Sequence, residues 1–319
     1  MNDSAVTIKA IQDIRKDDIV IAFMGPTGVG KSFFIDLLTG QYGARSGDTL
    51  ASVTVGIEAV RVLHHPLYGN RVVLVDTPGF DDTTRTDMEI LAMVSEWLVK
   101  TYKGDVKLSG LIYLHRITDN RMAGSPYRNL RMFGNLCGDL TMSRVVLVTT
   151  MWDRVGTMDG NRREGELKEQ FWRVLIEKGS GVDRLKTSDQ RDAWRIVNGL
   201  IERSKERDRV LLQEELVDLK RRLNETEAGK TLYDSLQTLL DEYKRSLKGL
   251  LDQMDSDDVD PKLKKELERE YKKVDHEFRK TFDEVNKLKI PLGRRITMFL
   301  FGKKAHAVRI FVQYPEMPA

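Results

Sequence analysis

The sequence contains a single cysteine, Cys137, among its 319 residues. One cysteine cannot form an internal disulfide, which excludes a disulfide-stabilised scaffold and suits a reducing compartment. The chain also has no apolar run approaching the roughly 20 residues that a membrane-spanning helix requires. Its first residues are polar and acidic, without the apolar core of a secretion signal. We therefore expect a soluble, cytoplasmic protein.

An excess of charge of either sign is missing as well. The 52 lysines and arginines nearly balance the 49 aspartates and glutamates, so the net charge is +3 although 32% of the residues are charged. Dedicated nucleic-acid-binding proteins usually carry a marked basic excess on one face. We therefore expect no nucleic-acid partner.

Apolar runs typical of buried strands alternate with helical patterns through the first two thirds of the chain. Strands are predicted at residues 19–24, 57–63, 71–76, 111–115 and 144–149. Helices are predicted at residues 31–38, 86–101, 127–136, 165–178 and 189–201. This alternation predicts an α/β domain over residues 1–203, in which helices cover both faces of a mostly parallel sheet and form three layers.

Beyond residue 203 the composition changes to Lys, Arg, Glu and Leu, with apolar residues at helical spacing. An acidic turn at residues 255–260 divides this region, and Pro261 after it suits the first turn of a new helix. We predict a coiled-coil-like helical hairpin over residues 204–290. An apolar stripe needs only some surface to bury against. The hairpin therefore has three alternatives: folding on itself, docking on the first domain, or pairing with a partner protein.

The tail, residues 291–319, sets an apolar stretch between two basic pairs, Arg294-Arg295 and Lys303-Lys304. This pattern occurs in segments that lie in a membrane interface. It also suits a final segment that packs against the protein and leaves its basic flanks in solvent. Packing is favoured, and peripheral contact with a membrane surface is the alternative.

The most informative motif lies between the first predicted strand and the first predicted helix. It has the pattern of a phosphate-binding loop, in which glycines let the backbone approach a phosphate chain and the helix N-terminus presents N–H groups to it. We expect Lys31 to reach the β- and γ-phosphates and the Ser32 hydroxyl to bind Mg²⁺. The predicted nucleotide-binding residues are Gly25, Pro26, Thr27, Gly28, Val29, Gly30, Lys31, Ser32 and Phe33.

A second motif, Asp76-Thr77-Pro78-Gly79, follows another apolar strand and has the spacing of a nucleotide switch. The Asp76 carboxylate is expected to hold a water on Mg²⁺. The Gly79 N–H is expected to sense a γ-phosphate, because no side chain blocks its approach. Between the two motifs, one hydroxyl should complete the Mg²⁺ shell. Thr54 is preferred, and Thr49 and Ser52 remain alternatives.

A third motif, Thr150-Met151-Trp152-Asp153, follows the predicted strand at residues 144–149. A carboxylate at Asp153 can accept hydrogen bonds from N1–H and the exocyclic amine of guanine together, whereas adenine offers no such donor pair. A surface aspartate after a strand is the simpler alternative. For the last base-contacting loop, Gly179 and Ser180 are the best candidates.

Together these motifs resemble those of translation-factor-class GTPases of the septin-like group. The chain is similar to the immune-associated and chloroplast-import-receptor GTPases, and especially to fungal G-domain proteins. The resemblance covers about the first 200 residues and implies a P-loop NTPase sheet that binds GTP or GDP with Mg²⁺. In the family's base motif a lysine stem lies over the guanine. Here Met151 replaces that lysine and offers apolar contact instead.

Phe80 follows Gly79, where small GTPases have a glutamine that orients the attacking water. Phenylalanine cannot do this, so hydrolysis is expected to be slow. Related GTPases dimerise across the nucleotide face, which implies that Arg116 or Arg121 of a second copy neutralises charge in the transition state. An ordinary ion pair or a solvated side chain is the favoured interpretation for each arginine.

Two classes of function remain. The favoured one is a slow GTP-hydrolysing switch whose nucleotide state controls self-association, or partner binding through the helical extension. The other is a nucleotide-holding scaffold with negligible hydrolysis. An ATPase with a catalytic glutamate beside the second motif is disfavoured, because Asp76 is followed by Thr77-Pro78-Gly79.

Overall fold

The computed structural model describes residues 5–8, 13–44, 56–82, 85–106, 108–120, 122, 125–203, 214–218, 221–254 and 260–288. Within them the strands are β1 (Ala5–Ile8), β2 (Ile19–Met24), β3 (Glu58–Val62), β4 (Val72–Asp76), β5 (Leu108–Arg116), β6 (Val145–Thr150) and β7 (Gly181–Arg184). The α-helices are α1 (Lys31–Thr39), α2 (Asp87–Lys103), α3 (Ser125–Cys137), α4 (Thr157–Glu166), α5 (Arg173–Glu177), α6 (Gln190–Arg203), α7 (Glu227–Met254) and α8 (Pro261–Leu288).

The strands form one sheet in the order β1-β3-β4-β2-β5-β6-β7. The five strands from β4 to β7 in this order run parallel to one another. At one edge of the sheet, β3 runs antiparallel to β4, and β1 runs antiparallel to β3. Every residue of β2 is buried, as expected for a central strand covered on both faces. The parallel strands bring their carboxyl ends to one edge of the sheet.

Helices cover both faces of this sheet. Helices α1 and α6 cover one face of the sheet, where Phe34 of α1 and Val197 of α6 belong to the same apolar cluster. Helices α2, α3 and α7 pack on the other face, where Leu91 and Phe133 join the strand residue Tyr113. The predicted α/β fold, a three-layer and mostly parallel sheet, is therefore confirmed.

Two strands and one helix break differ from the expectation. Strands β1 and β7, which are four residues each and lie at the two edges of the sheet, were not predicted. Helix α4 begins at Thr157, eight residues before the helix predicted at residues 165–178, and a π-helical turn at Leu167–Phe171 separates it from α5. The turn places the indole of Trp172 fully inside the core, and core packing outweighs the regular helical hydrogen bonding there.

The C-terminal helices α7 and α8 form a hairpin that also docks on the first domain. They pack along each other, and α7 crosses α3, where the Asn135 amide donates a hydrogen bond of 2.5 Å to the Thr231 hydroxyl. Leu236 of α7 and Val285 of α8 lie in the same apolar cluster as the sheet. Two of the three alternatives for the hairpin, folding on itself and docking, thus occur together.

The boundaries predicted at 203/204 and 290/291, and the whole tail 291–319, adjoin or lie within residues outside the described ones. Among the residues that are described, no helix is both long and apolar enough to span a bilayer.

Candidate nucleotide-binding site

The phosphate-binding loop connects β2 to α1 at the carboxyl edge of the sheet. Gly25, Gly28 and Gly30 have φ values of 138°, 78° and 92°, a region that side chains rarely allow. At Gly25 space is also closed, because a Cβ atom would lie 2.5 Å from the carbonyl oxygen of Leu114 on β5. The glycines of the motif therefore meet steric requirements of this turn.

The Lys31 side chain curls back along the loop. Its Nζ donates hydrogen bonds to the carbonyl oxygens of Gly25 at 3.1 Å and Pro26 at 2.9 Å. Burial lowers the pKa of this amine to about 8, and the nearby carboxylates of Asp76 and Asp82 oppose that shift. At neutral pH the amine keeps most of its positive charge, as binding of an anionic phosphate chain requires.

A pair of oxygen ligands stands beside the lysine. The Ser32 hydroxyl, in the first turn of α1, donates a 2.6 Å hydrogen bond to the carboxylate of Asp76 at the end of β4. Hydroxyl and carboxylate oxygens are ligands that suit Mg²⁺. Two of the three residues predicted to hold the metal are thus in contact, and their oxygen donors fit that ion. Phe33 follows them on α1 and packs against the apolar cluster under the loop.

The Asp76–Gly79 turn lies directly on the phosphate-binding loop. The Thr27 hydroxyl donates to the carbonyl of Gly79 at 3.2 Å, and the Thr27 N–H donates to the carbonyl of Phe80 at 2.8 Å. A Cβ atom at Gly79 would lie 2.5 Å from Thr27 Cα and N, so glycine is required for this approach. The Phe80 ring is buried in the core. Thr54 and its alternatives Thr49 and Ser52 lie outside the described residues.

The third motif reaches the same edge of the sheet at the end of β6. The Thr150 hydroxyl donates to the carbonyl of Val29 at 2.9 Å, which joins this motif to the phosphate-binding loop. Met151 adopts a left-handed conformation with φ of 61°. Asp153 follows in a single 3-10 turn with its side chain exposed to solvent. Thr150 and Asp153 therefore lie at the same edge of the sheet as the phosphate-binding loop.

A cluster that the sequence analysis missed supports this turn. The Arg184 guanidinium lies 4.2 Å from the centre of the Trp152 ring, and it donates to both carboxylate oxygens of Glu164 at 2.7 and 2.6 Å. The Trp152 indole N–H donates to the Thr149 hydroxyl at 2.9 Å. Arg184 is the last residue of β7. Predicting that strand from the sequence would have indicated that Arg184 lies next to the end of β6.

Gly179 and Ser180 do not reach this site, which corrects their prediction as base-contacting residues. They precede β7, whose first residue pairs with Val146 near the amino end of β6, and the Ser180 hydroxyl contacts the sulfur of Met142 at 3.5 Å. In a parallel sheet this is the edge opposite the phosphate-binding loop. The segment that follows β7 begins at Leu185, on the edge of the sheet that carries the phosphate-binding loop. The Leu185 N–H donates to the carbonyl of Thr149 at 2.9 Å.

Arg116 ends β5 close to the phosphate-binding loop. Its Nη1 lies 3.4 Å from the position that a Cβ atom of Gly28 would occupy, and its Nε forms a 3.0 Å ion pair with Asp119. The neighbouring His115 is buried, which lowers the pKa of its imidazole to about 4, and it meets the Trp172 ring edge-on. His115 is therefore neutral at physiological pH and belongs to the core. Arg121 lies outside the described residues.

Sequence comparisons agree with this geometry. Residues 20–123 match the family described as 50S ribosome-binding GTPase. The chain is similar to guanylate-binding protein 2 of Rattus norvegicus, with 27% identity over 120 residues that cover 35% of this chain and 20% of that protein. Guanylate-binding protein 1 of Mus musculus is 26% identical over the same length and coverage. The chain thus matches about a fifth of the length of these curated relatives.

Solved structures show similarity at lower identity. A dimerization-deficient mutant of Toc33 from Arabidopsis thaliana is 14% identical, with 61% of this chain and 88% of that chain covered and a TM-score of 0.49. Toc33 in complex with GDP and Mg²⁺ is 15% identical at the same coverage, with a TM-score of 0.45. The family match spans the phosphate-binding loop, Asp76–Gly79 and β5, and the sheet with its surrounding helices has the fold of a P-loop GTPase G domain.

Proposed function

We propose that this protein binds GTP and GDP with Mg²⁺, hydrolyses GTP slowly, and transmits its nucleotide state to the helical extension. The observation that carries the proposal is the 2.6 Å hydrogen bond between Ser32 and Asp76. It brings the two predicted metal-binding oxygens together beside the buried amine of Lys31. A nucleotide site that only needed to hold a base would have little use for this arrangement.

Each motif has a separate task in this proposal. Lys31 and the loop N–H groups neutralise the charge of the β- and γ-phosphates. The Asp153 carboxylate accepts hydrogen bonds from the edge of the guanine base. Mg²⁺, held by Ser32 and Asp76 and completed by Thr54, supplies positive charge to the phosphate oxygens when bound. Thr150 keeps residues 150–153, the base-binding turn, in register with the phosphate-binding loop through its bond to Val29.

Slow hydrolysis follows from Phe80. Its ring is 2% exposed and packed in the core, so this position cannot present a polar group to an attacking water. Without such a group the positioning of water depends on other residues, and the transition state gains less stabilisation. Self-association across the nucleotide face, with an arginine of a second copy, remains part of the proposal as the route to faster turnover.

The route from the nucleotide to the extension is short. Two residues after Gly79, the Asp81 N–H donates a 2.8 Å hydrogen bond to Asp87 at the start of α2. The second oxygen of Asp87 lies 3.7 Å from the Arg128 Nε of α3, and Glu284 of α8 interacts electrostatically with both residues. A shift of the turn on γ-phosphate binding therefore reaches α8 through one side chain. Partner-protein or membrane-surface binding would be controlled at this junction.

Calorimetry with GTP, GDP and ATP, followed by phosphate release over a range of protein concentrations, tests the proposal. We expect a preference for guanine nucleotides and Mg²⁺-dependent, slow phosphate release. Lys31→Ala should abolish binding, and the exposed Lys265→Ala on α8 serves as the matched control. Equal affinity for ATP and GTP, or Lys31→Ala binding like wild type, would contradict it.

A nucleotide-holding scaffold is the second candidate, and burial of Phe80 is the observation that favours it. The same assay separates the two functions. Tight GTP binding with no phosphate release at any protein concentration supports the scaffold, whereas release that rises per chain with concentration supports the self-associating switch.

A further inference from the structure

We propose that Arg116 contacts the nucleotide bound by its own chain and supplies the cation that the base-binding turn lacks. This inference rests on the proposed function. The usual lysine of the third motif is replaced by Met151, which has no charge to offer a polyanion. Arg116 comes from a different strand, β5, and brings a guanidinium to the same corner of the site.

The position of Arg116 is the first argument. Its Nη1 lies 3.4 Å from the Cβ position of Gly28, and Gly28 is the exposed residue in the middle of the phosphate-binding loop. The Arg116 side chain is 37% exposed, so it borders both the loop and the solvent-filled space above it. A nucleotide whose phosphates lie on this loop would pass within reach of the guanidinium.

The rigidity of the segment after β5 is the second argument. The Arg116 Nε pairs with Asp119 at 3.0 Å, which sets the direction of the guanidinium. Arg163 of α4 donates to the carbonyls of Ile117 at 3.0 Å and Thr118 at 3.1 Å. The cation is therefore held before any ligand arrives, which lowers the entropy cost of contacting one.

Three segments of the chain converge at Arg116. The Ile117 N–H donates to the carbonyl of Thr150 at 3.0 Å, and the Thr118 hydroxyl approaches the Met151 sulfur at 3.9 Å. The Thr150 hydroxyl in turn binds the carbonyl of Val29. The segment carrying Arg116 is thus bonded to the base-binding turn, which is bonded to the phosphate-binding loop. Arg116 lies at the junction of the three.

The chemistry of arginine suits this place. A guanidinium is planar, always charged, and able to donate several hydrogen bonds to phosphate oxygens or to stack on a flat base. An arginine that served a second copy would have to extend away from its own site. Arg116 instead lies against its own Gly28, which favours action within one chain over action across a dimer.

Calorimetric titration of GDP with Mg²⁺ at low protein concentration is the test. Loss of a charge-assisted contact should weaken GDP binding about 10- to 100-fold in Arg116→Ala. The matched control is Arg173→Ala on α5, where the arginine is 63% exposed and pairs with Glu177, and it should bind as wild type does. Thermal denaturation of the free proteins checks that each variant is folded.

A second variant separates contact from mere support of the loop. Met151→Lys in the Arg116→Ala background returns a cation to the same corner and should recover at least about tenfold of the lost affinity. Weakened binding with no recovery would show that Arg116 only orders its segment, and would overturn the inference.

Two further outcomes keep the inference distinct from the proposed function. Wild-type protein that binds no guanine nucleotide would overturn the proposed function and the inference with it. Wild-type binding that Arg116→Ala leaves unchanged, with loss only of concentration-dependent turnover, would overturn the inference alone and assign Arg116 to a partner chain.

Discussion

Gly79 lies where the Asp76–Gly79 turn contacts the phosphate-binding loop. A Cβ atom there would lie 2.5 Å from Thr27 Cα and N, which are backbone atoms that cannot rotate aside. Gly79→Ala should therefore separate the turn from the loop and break the two hydrogen bonds of Thr27. We expect the free energy of unfolding, measured by urea denaturation of the nucleotide-free protein, to fall by about 1–3 kcal/mol.

Gly199→Ala on α6 is the matched control for this substitution. A Cβ atom there meets nothing within 4 Å, and alanine favours the helix by up to about 1 kcal/mol over glycine. Its stability should stay level or rise. A Gly79→Ala protein as stable as wild type would show that the close approach of turn and loop is not a feature of the nucleotide-free state.

The electrostatic interaction between Glu284 of α8 and Asp87 at the start of α2 carries a pH dependence. Burial raises the pKa of Glu284 to about 7, and the neighbouring Asp87 carboxylate adds to the shift while Lys280 and Arg128 oppose it. Burial also raises the pKa of Asp87. Because the folded pKa of each acid exceeds its unfolded value, the favourable contribution is complete at low pH. It is lost as the pH rises through the folded pKa.

We therefore predict that docking of α8 weakens between about pH 5 and pH 8. Hydrogen exchange of the α8 amides should become faster over that range, beyond the intrinsic increase with pH. Glu284→Gln should flatten the dependence, while the exposed Glu268→Gln on the same helix should leave it unchanged. A Glu284→Gln protein with the wild-type pH profile would exclude this carboxyl as the titrating group.

The G domain and the extension share one apolar core, because Leu232 and Leu236 of α7 and Val285 of α8 lie in the same cluster as the sheet. Nucleotide binding at the phosphate-binding loop should then stabilise the extension as well. At a GDP concentration 100 times the Kd, the gain in unfolding free energy is about 2.7 kcal/mol. We expect two probes to report it together during thermal denaturation.

Tryptophan fluorescence is the first probe, since all four tryptophans belong to residues 1–203, and far-UV circular dichroism, which includes the long α7 and α8, is the second. Lys31→Ala should abolish the GDP-dependent shift in both signals. A shift in fluorescence with an unchanged dichroism transition would mean that the extension unfolds independently of the G domain.

Local sequence patterns were enough to predict the parts of this fold that short stretches of the chain specify. The strand at Ile19–Met24 and the phosphate-binding loop after it were predicted within their observed bounds, because a buried apolar run and a set of glycines with positive φ act over a few residues. Asp76 and Gly79 followed in the same way from the end of β4. The helical pattern of α7 and α8 was equally visible, since helices of 28 residues repeat their periodicity many times.

Longer-range pairing was beyond those patterns. Strand β7 has the sequence Gly-Val-Asp-Arg, which carries little β signal, and it exists because β6 offers hydrogen bonds along its edge. Because β7 was not predicted, the sequence did not indicate at which edge of the sheet Gly179 and Ser180 lie. The ion pair between Glu164 and Arg184 beside Trp152 could not be predicted for the same reason.

The sequence of this protein therefore indicated the phosphate-binding motif and the class of fold, since each depends on residues close together in the chain. Tertiary interactions settled the rest: Arg116 lies beside Gly28, Thr150 is bonded to Val29, and Glu284 of α8 interacts electrostatically with Asp87. These partners are separated by between about 80 and 200 positions. No periodicity within one segment encodes such a distance, and it is set only when packing of the apolar core brings the segments together.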